Sequence, residues 1–451
     1  FKYFILVIPF LCPIPSQDTL IKSVFFHSHA LYNVHVKFAD QIEVLKDVEA
    51  KYNLDVWSYA VTDRPGVILV PKDLRDIFQQ ELQDAGIGFD VVVENIKEKL
   101  ELEDSMLASA AASSRSNRSR ARSVVEGLSF DEIHSLEVVD QYLVDLANAY
   151  PETVTVASAG RSIEGRDIKY LKISTTNFLD RNKPIIVLQS LLHAREWVTL
   201  PATLYAIKKL VLDITDRDLV QNVDWIIIPV SNPDGYVFSH NGDRFWRKNR
   251  ARGFMVGDFC MGVDLNRNFD ILWGTASSAS PCMETFHGRG PFSEPETAAI
   301  RDLFIEYGSR IEVYIDIHSF GSMILYGYGN GVLPPNALAK NLLGVRMAQA
   351  IDAVKWPQNR NYIVGNVALI LYNASGGSSD YAMAVGTPYS YTFELPAYNN
   401  IQGTILGFLV DPAFIEQAGF ETWEGIKEAG RLAKERKKVY LLTNIHKQKI
   451  I

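Results

Sequence analysis

Between residues 32 and 39, "YNVHVKFA" alternates apolar and polar side chains with the period of two that a half-buried strand requires. In residues 40–52, "DQIEVLKDVEAKY", the spacing changes: Ile42, Leu45, Val48 and Tyr52 share one face of a helix. "DVWSYA" (55–60) and "GVILVP" (66–71) return to strand patterning, with Pro65-Gly66 read as the turn between them. A second helix, 72–86, ends at Gly86, where a C-cap glycine belongs, and "IGFDVVV" is a fourth strand. The order β-α-β-β-α-β predicts a small two-layer α+β domain of the ferredoxin-like kind. A charged helix is predicted over 94 to about 112.

From about 129 onward, strands and helices alternate. "VTVASAG", "DIKYLKIS", "DWIIIPV", "EVYIDI" and "YSYTFEL" read as strands, and "KPIIVLQS" (183–190) is a continuous apolar run of the buried, parallel type. Residues 197–215 and 335–354 read as long helices. This pattern predicts an α/β/α architecture: a mixed, largely parallel central sheet with helices on both faces. No internal repeat is evident.

Composition narrows the field. A chain of 451 residues with 47% apolar and 22% charged side chains buries a large core and exceeds one ordinary domain. A net charge of −8 argues against nucleic acid as a partner. Residues 36–104 hold 16 acidic against 8 basic side chains, net −8, which equals the charge of the whole chain. An acidic module tethered to a balanced one suits a lid over a basic site. The two are joined through "SSRSNRSRAR", where Arg115, Arg118, Arg120 and Arg122 sit among small polar residues. A basic Ser/Arg run is often a solvated linker, and an exposed one is where proteases cut. The opening stretch, "FKYFILVIPFLCPIP", is too short and Pro-broken to span a bilayer and reads as a secretory signal with a truncated start. Its removal takes Cys12 and leaves Cys260 and Cys282, enough for one bridge. No later run is long and apolar enough to span a membrane.

The candidate chemistry lies at strand ends, where open α/β sheets place their sites. His193 follows "KPIIVLQS" and two leucines, His318 follows "EVYIDI", and Glu394 lies near the end of "YSYTFEL". A lone histidine, or a His and Glu three apart, is an ordinary occurrence. Convergence of three strand ends turns the reading toward metal. His193, Glu196 and His318 form a two-His, one-Glu set with a fourth position open, the composition of a catalytic zinc site. Asp264 could hold the free ring nitrogen of His193. Asn266, Arg267 and Arg247 lie in nearby polar stretches and suit an anionic substrate, whereas Arg244 reads as an ordinary surface arginine.

"HAREW", "RFWRKNR", "VDLNRNF", "IHS", "YNASGGSSDYA" and "TFEL" occur in that order. Together they closely resemble the secreted metallocarboxypeptidases typified by carboxypeptidase A, over nearly all of residues 34–436. Carboxypeptidase A is itself a type case of the His-Glu-His zinc set. The resemblance implies one zinc ion per chain on His193, Glu196 and His318, with Glu394 as general base and Arg247 stabilising the oxyanion. It implies that Asn266, Arg267 and Tyr372 grip the terminal carboxylate and that Arg195 lines the approach. It places Ser379 at the floor of the specificity pocket and pairs Cys260 with Cys282. Where the family's commonest pattern after "IHS" has Tyr, this chain has Phe320, which removes a hydroxyl from the cleft.

The expected organisation is a signal (1–19), an inhibitory prodomain (30–104), a connecting helix and Arg-rich activation segment (105–122), a catalytic domain (123–436) and a tail (437–451). Cleavage is expected at Arg120 or Arg122 by a trypsin-like protease, releasing a secreted, monomeric exopeptidase that acts on peptide C-termini. Neutral Ser379, with Val367 and Leu371 as wall and Gly329 opposite, predicts a preference for aromatic and large aliphatic ends; Asp380 is the acid that could reverse it. Sequons occur at Asn117 and Asn373, the second read as unoccupied beside Tyr372. A deacylase on the same scaffold and a catalytically silent binding protein are the competing readings. The first sits poorly with a prodomain and cleavable joint, the second with an intact base and ligand set.

Overall fold

The computed structural model describes residues 29–62, 64–118, 128–213, 215–397 and 406–448; the side chains of 114–118 and 436–448 lie outside the description. The N-terminal unit runs β1 (Ala30–His35), α1 (Ala39–Tyr52), β2 (Asp55–Ser58), β3 (Gly66–Val70), α2 (Arg75–Asp84) and β4 (Gly88–Val93). Helix α1 starts where the Gln41 amide oxygen accepts the N–H groups of Lys37 (2.7 Å) and Phe38 (3.3 Å), and it stops at Asn53, which turns left-handed. Gly86, at φ 65°, closes α2 as predicted: Ile87 N–H returns to the Leu82 carbonyl and Gly86 N–H to that of Gln83. The sheet order is β2-β3-β1-β4, all antiparallel, over a core that includes Tyr32, Val34, Leu45, Val48, Phe78 and Leu82.

The turn expected at Pro65-Gly66 lies earlier. Val61 and Arg64 exchange backbone hydrogen bonds at 2.9 Å, and Gly66 already belongs to β3. Its glycine is required by packing, since a Cβ there would sit 2.7 Å from the Ala60 nitrogen. The connecting helix α3 spans Ile96–Arg118, longer than the sequence indicated. Arg120 and Arg122, and the whole signal segment, lie outside the described residues.

The second unit comprises α4 (Leu136–Ala149), β5 (Val154–Arg161), β6 (Asp167–Ile173), β7 (Ile185–Ser190), α5 (Thr199–Val211), α6 (Arg217–Asn222), β8 (Asp224–Ile228), α7 (Pro233–Asn241) and α8 (Pro295–Tyr307). It continues with β9 (Ile311–Ser319), β10 (Met323–Tyr326), α9 (Ala337–Asp352), β11 (Ile363–Asn366), α10 (Val367–Ile370), α11 (Ser378–Ala384), β12 (Tyr389–Leu395) and α12 (Pro412–Gln448). The eight strands run β11-β10-β12-β9-β7-β8-β6-β5; the central β12-β9-β7-β8 are parallel, and antiparallel pairings enter on both flanks. Every residue of β7 is buried. Its side chains alternate between two apolar layers, Ile186 and Leu188 facing one and Ile185 and Val187 the other. This explains why its sequence is continuously apolar. Helix α12 runs through residue 436, so backbone structure does not break where the tail was expected to begin. Among the described residues, no helix is long and apolar enough to cross a membrane.

Candidate active site

His193 lies three residues past the end of β7, Glu196 one turn further, and His318 is the penultimate residue of β9. All three are buried. The Nδ1 atoms of the two imidazoles face each other at 3.1 Å, His193 Nδ1 lies 2.8 Å from Glu196 Oε1, and His318 Nδ1 lies 2.9 Å from Oε2. Zinc bonds of about 2.0–2.1 Å at tetrahedral angles need ligand separations of roughly 3.3 Å, so the cluster has nearly the size an ion requires. Its chemistry agrees. His193 Nε2 lies 2.9 Å from Asp264 Oδ1, and His318 Nε2 lies 2.9 Å from Asp316 Oδ2. Ionised carboxylates only accept, so Asp264 and Asp316 can each hold a ring proton on Nε2, the tautomer that leaves Nδ1 free to ligate a cation shared with Glu196. Three electron-rich groups converging in a buried space fit a cation. Burial opposes the charge on Glu196, yet the two imidazoles outweigh it and hold its carboxyl well below the usual range.

Glu394 sits on β12 directly opposite His318 in the parallel register. Burial pushes its carboxyl up to about 8. Asp264 caps the short turn Leu265–Arg267 and accepts from Arg247 through Nη2 (2.9 Å) and Nε (3.2 Å). Burial disfavours its charge, but Arg247, His193 and Arg267 hold the carboxyl well below its usual range. Asn266 turns its amide oxygen to the Ser378 N–H (2.8 Å), which points Nδ2 into the cleft. Arg267 donates to the Asn266 carbonyl (2.7 Å) and the Tyr372 hydroxyl (3.3 Å), while its buried Nε has no partner among the described residues. A planar fork with a free donor, beside an amide and a phenol, suits a carboxylate ligand.

Apart from Asp264, the site residues line a cleft of about 110 Å³, and the N-terminal unit closes its mouth. Arg195 is fully buried because Nη1 reaches both Asp55 oxygens (2.8 and 2.9 Å) and its guanidinium lies over Phe408. Trp57 enters between Phe245 and Phe408, and Gly407 is needed there because a Cβ would come within 2.6 Å of the indole. Tyr59 stacks obliquely on Tyr372 and donates to Glu49 (2.9 Å). Arg64 reaches the Ile370 carbonyl (3.2 Å). Arg244 is not the surface residue its setting suggested. It is buried over Trp197 and held by Glu103 of α3 through two bonds, 2.9 and 3.0 Å.

At the far end of the cleft, Ser379 shares a hydrogen bond with Thr392 (2.8 Å), with Leu325, Val367 and Leu371 as apolar neighbours. Asp380 turns its Oδ2 to the Gly329 N–H (2.7 Å), and burial pushes its carboxyl up to about 7. Gly329 has a further reason to be glycine: a Cβ would strike the Ala374 carbonyl at 2.3 Å. Phe320 lines the cleft and packs on Phe408. Asn373 is exposed, and the side chain of Asn117 lies outside the description. Cys260 and Cys282 form a disulfide. Asp316, Glu103, Arg64 and the cleft-lining Tyr59 were not singled out from sequence. Only Asp316 left a signal, a charge within the otherwise apolar run "VYIDI".

Residues 139–425 match the zinc carboxypeptidase family, and residues 32–103 match the carboxypeptidase activation peptide. The chain belongs to the zinc carboxypeptidases. Carboxypeptidase B of Helicoverpa zea is 41% identical over 406 residues, 89% of this chain and 93% of that protein. Carboxypeptidase A2 of Mus musculus is 33% identical, covering 86% and 89%. The crystal structure of the carboxypeptidase A from Helicoverpa armigera superimposes with a TM-score of 0.87 at 60% identity, over 91% of this chain and 98% of that one. With an activation peptide ahead of a metallocarboxypeptidase domain, the chain is organised as a zymogen of a zinc enzyme.

Proposed function

We propose that this zymogen is secreted and, once cut in its Arg-rich joint by a trypsin-like protease, removes single C-terminal residues with aromatic or large aliphatic side chains. The observation that carries the reading is the convergence of both Nδ1 atoms and Glu196, with Glu394 in register beside them. His193, Glu196 and His318 would hold one zinc ion, which supplies Lewis acidity at the scissile carbonyl and acidifies water. Glu394, whose ionised form a cation held beside it would favour against burial, takes the proton from the attacking water and delivers it to the leaving amine. Arg247, oriented by Asp264, meets the charge that develops on the carbonyl oxygen. Asn266, Arg267 and Tyr372 bind the terminal carboxylate, which restricts attack to the last peptide bond. Arg195 lines the approach after Asp55 leaves it.

The names of the relatives divide between carboxypeptidases A and B, so the pocket must decide. Ser379 brings no charge, and Asp380 commits its Oδ2 to the Gly329 N–H while burial pushes its carboxyl up to about 7. A Lys or Arg end buried here lacks a counter-ion, at a cost of several kcal/mol. Trypsin-treated protein should therefore cleave peptides ending in Phe or Leu with kcat/KM at least about 100-fold above those ending in Arg, Lys or Glu. Basic ends outpacing Phe would overturn the assignment.

A further inference from the structure

Asp316 and His318 are two apart on β9 and so project from the same face of the sheet. On the adjacent parallel strand, Gln189 is the register partner of Asp316, and its amide donates to Asp316 Oδ1 at 3.2 Å. Oδ2 receives His318 Nε2 at 2.9 Å and the Ser378 hydroxyl from the start of α11. Asp316 is fully buried, and among the described residues no lysine or arginine pairs with it. A buried carboxylate without a cation is costly. Its positive counterpart can arrive only through the imidazole, from whatever binds at His318 Nδ1.

We infer that Asp316 is a positioning residue: it fixes the ring of His318 with Nδ1 toward the metal and supplies the negative charge that strengthens that ligand. This rests on the zinc reading of the site. Asp316 also clamps the substrate loop, because Ser378 donates its hydroxyl to Asp316 and its N–H to Asn266. The proton fixed on His318 Nε2 has a second consequence. Asn266 Nδ2, 3.3 Å from that nitrogen, finds no acceptor there and stays free for a substrate carboxylate. Both metal-binding histidines are thus backed by a buried aspartate, Asp264 for one and Asp316 for the other.

The test is zinc affinity of the full chain, measured by chelator competition, for wild type and Asp316→Asn. Loss of such a partner lowers metal affinity by about 10–100-fold, the drop expected here. A folded Asp316→Asn protein that binds zinc within about twofold of wild type overturns the inference. Should that variant not fold, 15N-histidine labelling of the zinc-loaded wild type decides. Two zinc-dependent, downfield Nε2–H protons, from His193 and His318, are expected; one alone overturns it. A wild-type chain that takes up no zinc rejects the metal site itself, a different result from zinc bound equally by both proteins.

Discussion

Replacing Glu103 with alanine should unlatch the prodomain without touching the mature enzyme. In the closed zymogen, Glu103 meets Arg244 Nε and Nη2 and also accepts the Val410 N–H at 2.7 Å. Arg244 is held further by bonds to the Arg195 and Phe408 carbonyls. Removing one partner of a buried pair leaves a desolvated charge, at a cost of about 3–5 kcal/mol. The opened state escapes that cost because Arg244 then meets water. The closed-to-open equilibrium should shift by a factor of about 10²–10⁴. Hydrolysis of a small Phe-ended peptide by uncut chain should rise by that factor, or until it reaches the trypsin-activated rate. Glu103 precedes the expected cuts at Arg120 and Arg122, so activated variant and activated wild type should be the same enzyme. Uncut activity within about twofold of wild type, in a folded variant, would refute the latch.

Burial holds Glu49 protonated up to about 7 from an ordinary 4.5, with Asp55 and Glu284 adding repulsion and Tyr59 and Lys46 opposing it. Protonated Glu49 favours the closed form, so its contribution is complete below pH 4.5 and is lost as pH rises through about 7. Uncut activity should climb across that window, and Glu49→Gln should flatten the climb; an unchanged slope in the variant would count against it. Ser379→Asp should raise kcat/KM for Arg and Lys ends at least about tenfold and lower that for Phe; an unaltered preference would remove Ser379 from the pocket floor.

Much of the site was legible because strand ends and motif order are local signals. "KPIIVLQS" announces a buried strand, and the residues after it face the rim. What escaped depended on partners remote in sequence. Arg244, in "RFWRKNR", resembles a solvated arginine until Glu103, 141 positions away, is folded against it. The four-residue strands β10 and β11 are too short for periodicity to register. The prodomain turn was displaced because glycine served a close approach at Ala60 and not a turn. Asp316 carried a readable mark, but its meaning needed Gln189 and Ser378 from two other elements.

The central claim is that His193, Glu196 and His318 hold zinc while Glu394 moves the proton. Glu394→Gln, activated with trypsin and assayed for zinc content and turnover on one sample, tests it most directly. The amide keeps the shape but cannot accept a proton, so about one zinc per chain with kcat reduced by at least about 10²–10⁴-fold is predicted. Near-normal kcat with zinc in place would contradict the account.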